Sequence, residues 1–452
     1  MSARRELQRQ LRLAGPVILA QVGMMSMGTV DTMMVGRIPG ERAAEIALGA
    51  SVLGNSLLFI VGSFAIGVLL GLDPVLSQAR GARDQVAFAR GFQRGMLVAT
   101  GLAVLASVPL AFARPILELF RQPPETLPEA ARYAQISIIG IPALTAFACL
   151  RQTLVVLGRM RAIIVAVALT SLLNILLNWV LIFGNLGMPA MGVEGSAWAS
   201  AISRWSMLAW VVWFAWPRLS THVLPLDRGS LALAPILRFL RLGAPVGIQQ
   251  ALEFSAFLTV LLMMGWIGPA EQAAHSVAIN LASLTFMFAI GASSAGSIRV
   301  GRAVGAQNPE TMRMASKVAL LLGLSFMSVA VLLFISVPGF LAGLFTHDQE
   351  VVDIAASLLV VAAAFQLFDG TQVVTLGLLR GLGDTTFPTL INLFGYWFVG
   401  CPFGYYLAFH TGVGPAGLWW GLVAGLGTVA LVLLLRLRIQ LRGRVERVRI
   451  ET

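Results

Sequence analysis

Long apolar runs separated by short polar segments fill most of the chain. A helix needs about 20 mostly apolar residues to cross the hydrocarbon core of a bilayer, and runs of that length recur from one end of the sequence to the other. They predict twelve membrane-spanning helices, at residues 14–36, 46–70, 95–113, 133–157, 162–184, 193–216, 243–266, 275–296, 315–337, 353–379, 386–409 and 415–436. The pattern therefore predicts an all-α membrane protein with many spans.

The composition excludes an ordinary soluble enzyme. Of the 452 residues, 57% are hydrophobic and only 12% are charged, whereas soluble domains carry about 25% charged residues. The formal net charge of +11 does not indicate a nucleic-acid partner, because the basic residues lie in small groups between apolar runs and not on one domain. The two cysteines, Cys149 and Cys401, do not form the closely spaced clusters of a metal or disulfide framework, and no bound cofactor is expected.

The distribution of positive charge predicts the orientation of the helices. Most of the 32 lysines and arginines fall at the N-terminus, in the even-numbered loops and in the C-terminal tail, while Arg204 lies well inside a span. Basic loops stay on the cytoplasmic side of a membrane, so both termini are expected to be cytoplasmic. We therefore expect a multi-pass protein of the bacterial cytoplasmic (inner) membrane.

The sequence resembles itself at a spacing of about 220 to 230 residues. RLAGPVILAQ at 12–21 matches RLGAPVGIQQ at 241–250, and three further segments match in the same order. The first six predicted helices thus correspond to the last six. This predicts an N-terminal lobe over 1–222 and a C-terminal lobe over 223–452, joined by the polar segment 217–230. Copies separated by an even number of spans share one orientation, as in transporters with parallel repeats, whose substrate path lies between the repeats.

Three acidic residues, Asp31, Glu253 and Asp369, fall well inside apolar spans. A charged side chain in the middle of a membrane helix costs about 2.5 to 3.5 kcal/mol on insertion scales, so such residues usually face an interior cavity. A buried carboxylate can hold a proton, Na⁺ or a cationic molecule in turn, which is the exchange that an antiporter requires. The alternative for each residue is a structural carboxylate held by hydrogen bonds.

Two amides and a hydroxyl are candidates to complete a site around Asp31. Asn174 and Asn178 are four residues apart and so lie on one face of the fifth predicted helix, and Ser200 lies on the sixth. Their oxygens are ligands of the kind that Na⁺ prefers, with Asp31 supplying the charge. Alternatively, the asparagines join two membrane helices by hydrogen bonds.

A buried cation and several soft side chains are candidates for a substrate cavity. Arg204 either extends toward the cytoplasmic surface or pairs with Asp31 as an internal cation that a proton or substrate displaces. Flexible methionines and aromatic rings can repack around different apolar cations. Near the acidic residues, these are Met27, Met34, Phe257 and Phe286. Alternatively, such residues face lipid or fill the helix bundle.

Taken together, several motifs resemble the multidrug and toxic compound extrusion (MATE) family, and most closely its bacterial NorM-like branch. They are GPVILAQ, VDTMMVGRIPG, LEFSAF, AAHSVAINLASLTFMF and FQLFDGTQVVTLGLLRGLGDT, and the resemblance covers nearly the whole chain. It implies twelve helices in two pseudo-symmetric six-helix bundles around a V-shaped central cleft. It also implies Na⁺- or H⁺-driven export of lipophilic, often cationic drugs and toxic compounds.

The resemblance also assigns roles to individual residues. The family's first-helix acid corresponds to Asp31, its polar pair on the fifth helix to Asn174 and Asn178, and its second cation site to Glu253 and Asp369. All three acids are therefore candidate ligands of Na⁺. In similar sequences the position of Arg204 is usually uncharged, and a permanent cation there would weaken Na⁺ binding in the first lobe.

Two other functions compete with antiport. A flippase for lipid-linked precursors, from the related superfamily, would favour a strongly basic central cavity. Here the charged residues inside the predicted spans are three acids and two arginines, Arg204 and Arg151. An intramembrane aspartyl enzyme would use Asp31 and Asp369, but no nucleophile or metal cluster accompanies them. We therefore expect a transporter and not an enzyme, a monomer whose partners are small amphipathic cations and membrane lipid.

Overall fold

The computed structural model describes residues 3–120, 122–225, 227–443 and 445–448, and no strand is formed among them. The helices are α1 Ala3–Val35, α2 Glu41–Leu69, α3 Leu72–Gly81, α4 Gln85–Ala111, α5 Ala113–Leu119, α6 Leu127–Ser137, α7 Ile141–Leu157, α8 Arg161–Phe183, α9 Gly192–Val223, α10 Leu233–Ile267, α11 Pro269–Gly305, α12 Pro309–Ser336, α13 Pro338–Gly343, α14 Gln349–Leu382, α15 Thr386–Leu393, α16 Cys401–His410 and α17 Pro415–Arg442. A π-helical turn, Phe394–Gly400, joins α15 to α16.

Ten helices in the described part of the chain are long and apolar enough to cross a membrane, and they cover ten of the twelve predicted spans. The other two predicted spans are helical as well. One lies on α9, whose apolar residues are mixed with tryptophans, serines and Arg204, and the other is divided by the π-helical turn between α15 and α16. The prediction of an all-α membrane protein is therefore confirmed.

The helix that carries the sixth predicted span, 193–216, continues beyond it, because α9 ends at Val223. Leu219 and Val223 are four residues apart on one face of the helix, and both are almost fully buried, so packing extends the helix into a segment that reads as polar. The side-chain amide of Gln93, on α4, donates hydrogen bonds to the carbonyl oxygens of Val223 (2.8 Å) and Pro225 (3.1 Å). The first of these bonds satisfies a carbonyl that the end of α9 leaves free.

The short connection after α9 is also fixed to α4. The carboxylate of Asp227 accepts hydrogen bonds from the backbone N–H of Gly229 (2.9 Å) and from Arg90 (2.6 Å). These two donors hold the pKa of Asp227 below its usual range, so the carboxylate stays charged. The connection after α9, which belongs to the predicted linker, is therefore fixed to α4.

Packing contacts divide the described residues into two units. The N-terminal unit comprises 19–72 and 85–247, and within it α8 packs against α9, α2 against α6, and α4 against α7. The C-terminal unit comprises 3–18, 73–84 and 248–448, and within it α14 packs against α11, α12 and α17. The boundary between lobes at residue 222 stays a prediction.

Candidate functional site

Asp31 lies near the C-terminal end of α1, where α8 and α9 supply its hydrogen-bond donors. One carboxylate oxygen accepts a hydrogen bond from Asn178 Nδ2 (2.5 Å), and the other accepts one from Ser200 Oγ (2.7 Å). The same Asn178 amide lies 3.3 Å from Asn174 Oδ1. Asn174 and Asn178 are fully buried. The four residues that the sequence predicted for the first site are therefore adjacent.

One polar atom near Asp31 has no hydrogen-bond partner among the described residues. The carbonyl oxygen of Asn178 is buried without a hydrogen-bond partner among the described residues, and leaving a buried polar atom unpaired costs about 1 to 3 kcal/mol. A cation beside Asp31 would give this oxygen a partner. The hydrogen bonds also join α1 to α8 and α9, as expected for a structural carboxylate, so the geometry accommodates both interpretations.

Arg204 occupies a gap at the bend between α6 and α7. Its Cδ and Nη1 atoms both lie 3.0 Å from the position that a Cβ atom would take at Gly140, so the side chain packs closely against this glycine. Nη1 is buried and has no hydrogen-bond partner within the described ranges. Asp31 accepts its hydrogen bonds from Asn178 and Ser200 instead. The guanidinium therefore adds a positive charge near the site without occupying the carboxylate.

The second acidic cluster lies in the C-terminal unit. Asp369 on α14 is almost fully buried, and it is close enough to Glu253 on α10 for their charges to repel. Two neighbouring carboxylates resist being charged at the same time unless a proton or a cation is shared between them. The sequence placed both acids inside the bundle, and the structure brings them together.

Two residues of this cluster were missed by the sequence analysis. The hydroxyl of Tyr396, in the π-helical turn, donates a hydrogen bond to Glu253 Oε1 (3.2 Å), and Gln372 Nε2 donates one to the same hydroxyl (3.1 Å). A signal was present for Gln372, because Gln366, Asp369 and Gln372 are spaced three apart and share one face of α14. No local signal pointed to Tyr396, whose position depends on the π-helical turn.

The predicted substrate-cavity residues divide between the two units. Met34 packs against the core of the N-terminal unit, and Met27 is half-buried in the same unit. Phe257 reaches the second acidic cluster, where its ring makes an edge contact with Tyr396 (6.0 Å between ring centroids). Phe286 is half-buried in the C-terminal unit. A cavity shared by these four residues stays a prediction.

Neither acidic cluster has the donor set of a transition-metal site. In the described part of the chain, no group of three or more His, Cys, Asp or Glu side chains is arranged to hold a metal ion. A cation at Asp31 would be held by one carboxylate together with amide and hydroxyl oxygens. Oxygen donors of this kind suit a hard cation.

Comparison with known proteins gives consistent results along the whole chain. The MatE family description matches residues 16–180 and again residues 245–406. The chain is 35% identical over 442 residues to the multidrug resistance protein NorM of Burkholderia vietnamiensis, and the match covers 95% of this chain and 93% of that protein. The double match falls on the two halves of the internal repeat and confirms that the chain consists of two related halves.

Solved structures with the same fold are membrane transporters. The eukaryotic MATE transporter AtDTX14 has a TM-score of 0.86 at 24% identity, over 97% of this chain and 98% of that one. A MOP superfamily transporter from Pyrococcus furiosus has a TM-score of 0.87 at 20% identity, over 97% and 96% of the two chains. The fold is therefore that of a multi-pass membrane transporter.

Proposed function

The chain belongs to the MatE family, and from this premise we propose that it exports lipophilic, mostly cationic drugs and toxic compounds in exchange for Na⁺ or H⁺. It is a multidrug efflux transporter and not an enzyme, so the alternative of an intramembrane aspartyl enzyme is set aside. The observation that carries the exchange mechanism is the half-buried Asp31 site, in which one carboxylate accepts hydrogen bonds from an amide on α8 and a hydroxyl on α9.

Coupling follows from competition for the same negative charges. A proton or Na⁺ bound at Asp31, or between Glu253 and Asp369, neutralises the charge that attracts a cationic substrate, so substrate and ion exclude each other. Each ligand shifts the balance between inward-open and outward-open states only as far as its affinity for those states differs. Mutual exclusion combined with this difference is sufficient to couple the two fluxes.

The proposal also covers the location of the protein in the cell and the division of the chain into two lobes. Both termini face the cytoplasm, and the protein works as a monomer within the lipid of the bacterial inner membrane. The two six-helix lobes, 1–222 and 223–452, open alternately to the two sides. Met27, Met34, Phe257, Phe286 and Arg204 contact the substrate.

Transport by the purified protein in liposomes tests this function and identifies the ion. We expect a fluorescent lipophilic cation such as ethidium to move against its gradient when either a pH gradient or a Na⁺ gradient is imposed alone. Collapsing the effective gradient with an ionophore should stop the movement. If neither gradient drives flux above that of protein-free liposomes, the proposed antiport is wrong.

A further inference from the structure

A set of contacts apart from both acidic clusters holds residues 447 and 448. The backbone N–H of Val448 donates to Gln78 Oε1 (2.7 Å), and Gln78 Nε2 donates to the carbonyl oxygen of Gly381 (3.0 Å). Arg447 forms an ion pair with Asp84 (3.0 Å). Gln78 is fully buried, so both of its hydrogen bonds are shielded from water.

These contacts fix α3, the segment at which the chain leaves the N-terminal unit and enters the C-terminal unit. A Cβ atom at Gly305 would overlap the carbonyl oxygen of Gln78, and one at Gly81 would overlap that of Arg302. Glycine at both positions thus allows α3 and the end of α11 to touch along their backbones. Any motion that withdraws α3 must first break the contacts of Gln78 and the C-terminal segment.

We propose that residues 445–448, named here the C-terminal strap, lock α3 in the C-terminal unit and slow its release. The buried bridge through Gln78 provides most of this restraint. The Arg447–Asp84 pair, whose side chains are 23% and 38% exposed, adds little, because exposed ion pairs are weak. The proposal does not depend on which ion drives transport.

Maleimide labelling of a cysteine on α3 tests the strap without a transport assay. Ser77→Cys, at a fully buried site, is introduced into a protein in which Cys149 and Cys401 are replaced by serine. Ending the chain after Gly443 leaves the Gln78 oxygen unpaired and should raise the labelling rate about tenfold. Arg447→Gln should raise it about twofold, whereas Arg442→Gln, an exposed arginine nearby, should not change it.

A charge exchange completes this test. Asp84→Arg combined with Arg447→Asp should return labelling to the level of the parent protein, because the pair is restored with reversed polarity. If the shortened chain is labelled at the same rate as the full chain, the strap does not restrain α3 and the proposal is overturned. Should the shortened chain fail to fold, Gln78→Leu in the full-length protein tests the same bridge with the same expected increase.

Discussion

In the Asp31→Asn protein we expect drug export to fall to the level of protein-free liposomes while the protein still folds. An asparagine retains one oxygen to accept from Asn178, and its amide can donate to the Ser200 hydroxyl, so the contacts between α1, α8 and α9 are conserved. What is lost is the negative charge, and without it the site can neither exchange a proton nor attract a cationic substrate.

The measurement is gradient-driven ethidium transport in liposomes, with gel filtration and thermal unfolding as checks on folding. Asp353→Asn is the matched control, because it makes the same chemical change at an exposed position of α14, where the side chain accepts a hydrogen bond from Gln349. The control should transport like the wild type. Transport at the wild-type rate by Asp31→Asn would show that this carboxylate is not part of the coupling mechanism.

The second large effect is expected for Asp369→Asn. Export should again be abolished, but this variant should be at least as stable as the wild type, because the substitution removes the repulsion between Asp369 and Glu253. A buried charge without a compensating partner destabilises a fold. A loss of function accompanied by unchanged or increased stability is therefore characteristic of a residue kept for exchange and not for folding.

Drug resistance of cells that produce the variant, combined with thermal unfolding of the purified protein, checks both parts of this expectation. Normal resistance would overturn the role of Asp369. A marked drop in the unfolding temperature would indicate instead that the carboxylate holds the fold together, since its neutral analogue would then be missing an essential contact. Asp353→Asn again serves as the control for both measurements.

Much of the first site could be predicted from the sequence because its signals are local. A carboxylate inside an apolar run stands out through its transfer cost, and two asparagines four residues apart must share a helix face. Ser200 required a further step, since a serine in a membrane helix is common. Its contact with Asp31 depends on how α9 lies against α1, which no local pattern specifies.

The second cluster was predicted less completely for the same reason. Glu253 and Asp369 were recognised individually, but their proximity and the Tyr396 hydroxyl between Glu253 and Gln372 result from packing among α10, α14 and the π-helical turn. For Arg204, the sequence predicted the residue but not its surroundings. Its charge was evident, yet its placement against Gly140 depends on a bend between two helices that are far from α9 in the sequence.

The sequence by itself determined the all-helical membrane fold, the internal repeat and the identity of the acids inside apolar segments, because a bilayer excludes charge and requires long apolar segments. The tertiary structure alone decided the continuation of α9 to Val223, the partners of each acid and the enclosure of Gln78 by the C-terminal strap. Those features depend on contacts between residues far apart in the chain. Such contacts are specific to one packing arrangement, whereas hydropathy is a property of each segment alone.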